Sequence, residues 1–258
     1  MLRVLTAAAL ACAFCWLPAQ AQAPQAEPVA APAQTTPAET LPTQPFVLQP
    51  FVATYQVFHQ GRALGEATMQ LRDNGNGHWR IDLTMKGSGL MRLTGLNLQQ
   101  STAFEVIGDR YRPLGQSMVK RAFLSSRKTT GSYDWNARQA RWTGDVKQSR
   151  RAPVPLQDGD MSGLLINLAV IRDAQPGKTL HYRFVDDGRA RDHIYQAAQA
   201  PEPMQAGDVS YDALRVARSN GGNDETVIWV ASGVPTPIRI LQREDGSDAT
   251  DLRLIQYR

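Results

Sequence analysis

The chain has 258 residues, 42% of them hydrophobic, a formal net charge of +4 and two cysteines. That length suffices for one large domain or two small ones, and so mild a charge excludes the dense basic field of a nucleic-acid binder. Both cysteines, Cys12 and Cys15, fall in the first 21 residues, so a chain cut after them has no disulfide, thiol nucleophile or thiolate metal site.

Arg3 opens an apolar run, residues 4–17, broken only by Thr6, and Pro18 closes it. Ala19-Gln20-Ala21 then gives the small-x-small pattern of a secretory signal peptide, so residues 1–21 are expected to be removed. Cleavage after Ala23 is disfavoured because Pro24 would follow it. A lipoprotein signal at Cys12 fits less well, since Phe14, Cys15, Trp16 and Leu17 continue the apolar run where a polar tether belongs. The run also falls short of the ~20 residues that span a bilayer, so no transmembrane span is expected after cleavage.

Residues 22–50 read as a Pro/Ala-rich disordered linker. Pro24, Pro28, Pro32, Pro37, Pro42, Pro45 and Pro50 recur among Ala, Gln and Thr, a composition that buries too little apolar surface to offset chain ordering.

From Phe51 the period becomes two. Ala67, Met69 and Leu71 alternate with polar neighbours, as do Trp79, Ile81, Leu83 and Met85, which predicts strands that bury one face in an antiparallel sheet. Turn residues recur at Gln60-Gly61, Asn74-Gly75-Asn76-Gly77, Gly108-Asp109, Asp187-Gly188, Asn220-Gly221-Gly222-Asn223 and Asp245-Gly246, giving about eleven strands. Three basic pairs, Lys120-Arg121, Arg127-Lys128 and Arg150-Arg151, read as solvated edges or a loop, or as contacts for an anionic envelope polymer or headgroup. Met161, Leu164, Leu165, Leu168 and Ile171 have helical spacing, with Asp160 as expected N-cap, Asp158 favouring the dipole and Pro176-Gly177 as the stop. That helix is apolar on too wide a face for a surface helix and is expected to plug the concavity of the sheet. The fold class predicted for residues 51–258 is all-β: a single domain with a large curved antiparallel sheet, or incompletely closed β-barrel, holding one buried α-helix.

Catalytic signals are sparse. The four histidines, His59, His78, His181 and His193, read as surface residues. A hairpin turning at Asp187-Gly188 pairs Tyr182 with His193 and Arg183 with Asp192, so His181 and His193 face opposite sides and cannot share a metal. In Gly159-Asp160-Met161-Ser162-Gly163 the serine is offset by one from the nucleophile-turn pattern, and Asp158-Gly159-Asp160 lacks the later ligands of a calcium loop. No catalytic residue, metal ligand or cofactor is assigned, which weighs against an enzyme without excluding a hydrolase that lacks a recognisable motif. Leu90, Met91, Leu93 and Leu96, interrupted by glycines, form the candidate ligand-binding lip beside a cavity, or the cover of an open barrel end.

The segments Tyr55-Gln56-Val57, Gly61-Arg62-Ala63-Leu64-Gly65-Glu66-Ala67, Tyr133-Asp134, Asp158-Gly159-Asp160-Met161-Ser162, Ile228-Trp229-Val230 and Pro237-Ile238-Arg239-Ile240 resemble the bacterial family called domain of unknown function 3108. The resemblance implies an exported envelope protein of a Gram-negative cell, hence a periplasmic location, and supplies no catalytic residues. The shape it implies is similar to the half-barrels of periplasmic lipoprotein carriers. The leading functional expectation is a non-enzymatic protein that binds a lipid or other amphiphile; the alternative is a module for an envelope protein or glycan, with Trp135, Trp142 and the basic pairs as contacts.

Overall fold

Strands begin where the alternation begins. In β1 (Phe51–His59) every other residue from Phe51 to Val57 is buried, and β2 (Arg62–Asp73) and β3 (His78–Gly87) continue the pattern. The computed structural model describes residues 47–88, 97–122, 125–221 and 223–258; the expected signal and most of the expected linker lie outside them. Next come β4 (Asn97–Ile107), β5 (Arg110–Ala122), β6 (Ser125–Asp134), β7 (Gln139–Gly144), and the two-residue strands β8 (Val154–Pro155) and β9 (Asp160–Met161). Helix α1 (Gly163–Asp173) precedes β10 (Thr179–Asp186), β11 (Arg189–Ala197) and β12 (Glu202–Ala206). The rest is β13 (Val209–Gly221), β14 (Asp224–Ala231), β15 (Arg239–Glu244) and β16 (Ser247–Tyr257). Sixteen strands thus stand among the described residues where the turns gave about eleven. Three of the additional strands, β8, β9 and β12, are too short to show a period.

One sheet takes all sixteen, in the order β8-β7-β6-β5-β4-β3-β2-β1-β16-β15-β14-β13-β11-β10-β9, with β12 beside β13. Only β9 runs parallel to its neighbour, β10. The edge strands β8 and β9 pair inward only, with β7 and β10, so the sheet curls without closing into a barrel. The expected fold class is the one observed. The open seam is held by side chains: Val185 of β10 packs with Tyr133, Trp142, Val154 and Leu156, while Tyr182 and Phe184, on the other face of β10, join the main core. Gly131 makes room there, since a Cβ would lie 2.6 Å from the Trp142 indole nitrogen.

Helix α1 lies inside the curl against β3, β4, β5, β10 and β14. Leu165, Leu168, Ala169 and Val170 are fully buried, each leucine contributing roughly 2 kcal/mol of apolar burial. The plug is as expected, but its start is not. Met161 belongs to β9, and the N-cap is Ser162. Asp160 does not cap the helix. It is 0% exposed, and Arg183 donates to its two carboxylate oxygens at 2.7 and 2.6 Å. The Gln157 N–H adds a third bond at 2.8 Å. A carboxylate this deep needs a cation and further donors, and Arg183 stands beside Asp160 in the parallel register. Gly159, at φ +92°, allows the tight turn that returns Asp160 to Gln157. Asp158 instead pairs with Arg138 at the surface, at 2.8 Å.

The β10–β11 register is the expected one, Tyr182 opposite His193 and Arg183 opposite Asp192. The ion partner of Arg183 is nevertheless Asp160, not Asp192.

Candidate functional site

Helix α1 is shorter than the curl it occupies. Its 11 residues reach about 16 Å, whereas the 11 residues of β4 reach about 36 Å. Two contacts show which part is filled. Ser162 Oγ lies 2.9 Å from Thr102 Oγ1 at the middle of β4, and Arg172, near the helix end, donates to the Asp109 carbonyl in the β4–β5 turn. The helix therefore lies along Thr102 to Ile107, and β4 extends beyond the helix start toward Asn97.

Alternation identifies what faces inward at that extended end. Met85 lies opposite Leu98 and Gln100 opposite Met118, on the face of the buried Leu83 and Thr102. All four are only half-buried. The expected lip residues Leu90, Met91, Leu93 and Leu96 lie outside the described residues. The strands flanking them stop at Gly87 and resume at Asn97, at this same end.

Just above the helix start, Thr102, Gln116, Ser162 and Asp186 line a cavity of about 10 Å³, room for one water. Gln116 donates to Asp186 and accepts from the Tyr133 hydroxyl at 2.7 Å, which also lies 2.7 Å from the Val185 carbonyl. Burial raises the Asp186 carboxyl above its ordinary range, partly offset by the Gln116 amide and the Asp187 N–H. Burial, with the nearby negative charges of Asp186 and Asp160, also holds Tyr133 well above a normal phenol. Burial likewise pushes Tyr111 up to about 12, against the pull of Arg172.

His193 departs from the sequence reading. His59, His78 and His181 are exposed, but His193 is only 6% exposed, because it shares the inward face with Tyr195 while Ile194 points out. Its ring stacks on Phe184 at 4.6 Å, and neither ring nitrogen has a hydrogen-bond partner. Burial, then the Arg218 and Arg191 charges, lowers its pKa to about 4, so it is neutral at neutral pH. Ser162 meets Thr102, Asp186 meets Gln116 and the His193 ring nitrogens bond neither, so the three do not form a nucleophile–base pair. Among the described residues no cluster of three metal-ligating side chains occurs.

A second concavity, of about 340 Å³, lies over β2–β5 and is lined by Thr68, Gln70, Arg72, Arg80, Asp82 and Ser101 among others. These residues alternate with the buried Met69, Leu71, Ile81 and Leu83 and so lie on the outer face. Trp142, one of the candidate aromatic contacts, is 3% exposed and belongs to the seam cluster, on which Trp135 packs.

The motif residues are occupied by the fold itself. The Tyr55 hydroxyl donates to the Pro237 carbonyl at 2.9 Å and lies 2.5 Å from Thr236 Oγ1, with burial raising its pKa. Trp229 Nε1 donates to Glu202 at 2.5 Å. A family model described as "Protein of unknown function (DUF3108)" matches residues 51–253. The chain belongs to this family. No curated protein matches it. Among solved structures, it is similar to the crystal structure of a β-barrel-like protein of domain of unknown function DUF1849 from Brucella abortus. That likeness has 10% sequence identity and a TM-score of 0.49, covering 82% of this chain and 98% of the other.

Proposed function

We propose that this DUF3108 protein is exported to the periplasm of a Gram-negative cell and binds an amphiphilic ligand, without catalysis, at the end of the half-barrel beyond α1. The observation that carries this reading is the inward, half-buried set Met85, Leu98 and Met118 on strands that outrun the helix. Apolar groups left half-wet on the concave face of a sheet are what an acyl chain would cover, at about 25 cal/mol per Å². Met85 and Met118 suit varied chains because the thioether side chain adapts its shape.

Titration of the mature protein with the fluorescent amphiphile dansyl-undecanoic acid tests it. Binding is expected, and Leu98→Asp and Met118→Asp should each weaken it at least tenfold (about 1.4 kcal/mol) while circular dichroism stays native. A wild-type protein that ignores the probe, or variants that bind it as tightly, would overturn the reading. Export is checked by intact mass: Gln22 is the expected N-terminus, and a diacylglyceryl mass on Cys12 would contradict it.

The outer groove favours a second reading, an envelope glycan partner, because hydroxyl, amide and charged side chains converge there. Asp82 is already oriented by Arg80, at 2.9 and 3.1 Å. Retention on purified peptidoglycan that is lost in Asp82→Ala, with no binding of the amphiphile, would replace the first reading by this one.

A further inference from the structure

The wall that faces β4 and β5 across the start of α1 supports an inference that rests on the ligand-binding reading and deepens it. Asp186, the last residue of β10, is bound to Gln116 of β5, and the two line the small cavity together with Gln100, Met118 and Gly163. The end of the β10–β11 hairpin therefore lies at the same end of the half-barrel as Leu98 and Met118, with the helix start between them. A Cβ on Gly163 would lie 3.4 Å from the Phe184 ring, so the two walls stand roughly one helix width apart, about 10 Å.

Alternation identifies the inward side chains of this second wall. Phe184 is half-buried and lies opposite Arg191 in register, with the guanidinium carbon 6.0 Å from its ring centroid. His193 and Tyr195 follow Arg191 on the same face of β11. On β13, Arg218 shares the face of the buried Val216, which stands opposite Ala197, and its guanidinium lies 5.8 Å from the Tyr195 ring. Both arginines bear on one imidazole, for it is their charges that act on His193.

Polar atoms here lack partners. Both His193 ring nitrogens and the Arg218 Nε are buried without a hydrogen bond, although Arg218 Nη2 reaches Thr226 Oγ1 at 3.4 Å. Neither Arg191 nor Arg218 forms an ion pair among the described residues, whereas Arg183 has Asp160 and Arg239 has Asp251. The carboxylate whose charge Arg191 offsets, Asp186, is already held by Gln116 and by the Asp187 N–H at 2.6 Å. Buried donors of this kind are unfavourable until an acceptor meets them. Two unpaired guanidiniums facing the half-buried Met85, Leu98 and Met118 complement a molecule that is apolar along its length and negative at one end. We propose that the ligand is an amphiphile with a carboxylate or phosphate headgroup, and that Arg191 and Arg218 hold this headgroup beside His193. The planar guanidinium fork matches the oxygens of either group.

Titration of the full mature protein with dansyl-undecanoic acid and with its uncharged methyl ester tests this. The acid should bind about tenfold or more tightly than the ester. Arg191→Gln and Arg218→Gln should each bring the acid down toward the ester and leave the ester's affinity unchanged. Arg191 is exposed, so its variant keeps a native melting curve and the test does not depend on how well Arg218→Gln folds. Competition then separates the two headgroups: displacement of the probe by dodecanoate or by dodecyl phosphate upholds the site, and the stronger competitor names the group. Equal binding of acid and ester, acid binding that survives Arg191→Gln and Arg218→Gln, or equal displacement by the uncharged dodecyl maltoside would overturn the headgroup assignment and leave ligand binding standing. A wild type that binds neither acid nor ester would overturn both.

Discussion

The outer faces of β13–β16 and the ends of β5–β6 both carry rows of basic residues, and they treat them in opposite ways. On β13–β16 the guanidiniums interlock with carboxylates: Arg239 grips Asp251 through two bonds of 2.7 and 2.8 Å, and Arg253 adds a third at 2.9 Å. Arg239 also lies over the Trp229 ring and Arg253 over Phe58. There the arginines roof apolar residues, Val227 and Leu241 among them, both fully buried. A charge beside such residues must be neutralised on the spot. At the ends of β5 and β6 the apolar neighbours Leu98, Met118 and Val119 are left half-buried, and the charges beside them form no ion pair among the described residues. On β13–β16, pairing thus marks basic residues that hold the fold.

Breaking the core that both regions share should give the largest effect. Leu165→Asp would bury an unpaired carboxylate against the sheet, and no folded protein is expected; a near-native melting curve would show that α1 is not a plug. Next, Asp251→Ala removes the one acid common to Arg239 and Arg253. Losing one partner of a buried pair costs about 3–5 kcal/mol, and the lower end applies because Arg253 is half-exposed. Chemical denaturation measures it, and a loss below about 1 kcal/mol would place this pair with ordinary surface bridges.

A smaller effect concerns His193, which feels the Arg218 and Arg191 charges. Its folded pKa, about 4, lies below the ordinary 6.5, so the unfolded chain takes up the proton more readily. Its contribution is intact above about pH 6.5 and is lost as pH falls toward 4. The raised pKa of Asp186 acts in the opposite sense. His193→Phe should flatten the fall in melting temperature between pH 7 and pH 5; an unchanged fall would assign the acid sensitivity elsewhere. The smallest effect is expected at the unpaired end. Lys120→Gln with Arg127→Gln should alter stability by no more than about 0.5 kcal/mol, with any change a gain, because like charges are separated. A marked destabilisation would mean that these residues hold the fold as Arg239 does.

Much of this was legible in the chain. The alternation of Ala67, Met69 and Leu71 fixes a one-sided strand, and Asp187-Gly188 fixes the hairpin register to the residue. The apolar spacing of Leu164, Leu165 and Leu168 finds α1 and its burial. The candidate site was less legible. Met85 and Met118 sit on segments that read as ordinary strand, and their half-exposure follows from where α1 begins. Asp160 looked like a cap because local spacing is all that a sequence displays, whereas Arg183, 23 residues away, decides its role.

The sequence by itself determined the elements and which face of each is apolar, because side-chain period and turn chemistry act over a few neighbouring residues. Only the tertiary structure decided how far the sheet curls, where the helix stops along β4, that His193 is buried, and which arginines meet an acid. Those outcomes come from contacts between residues distant in the chain, such as Tyr55 with Thr236 and Thr102 with Ser162, and no local pattern encodes the partner.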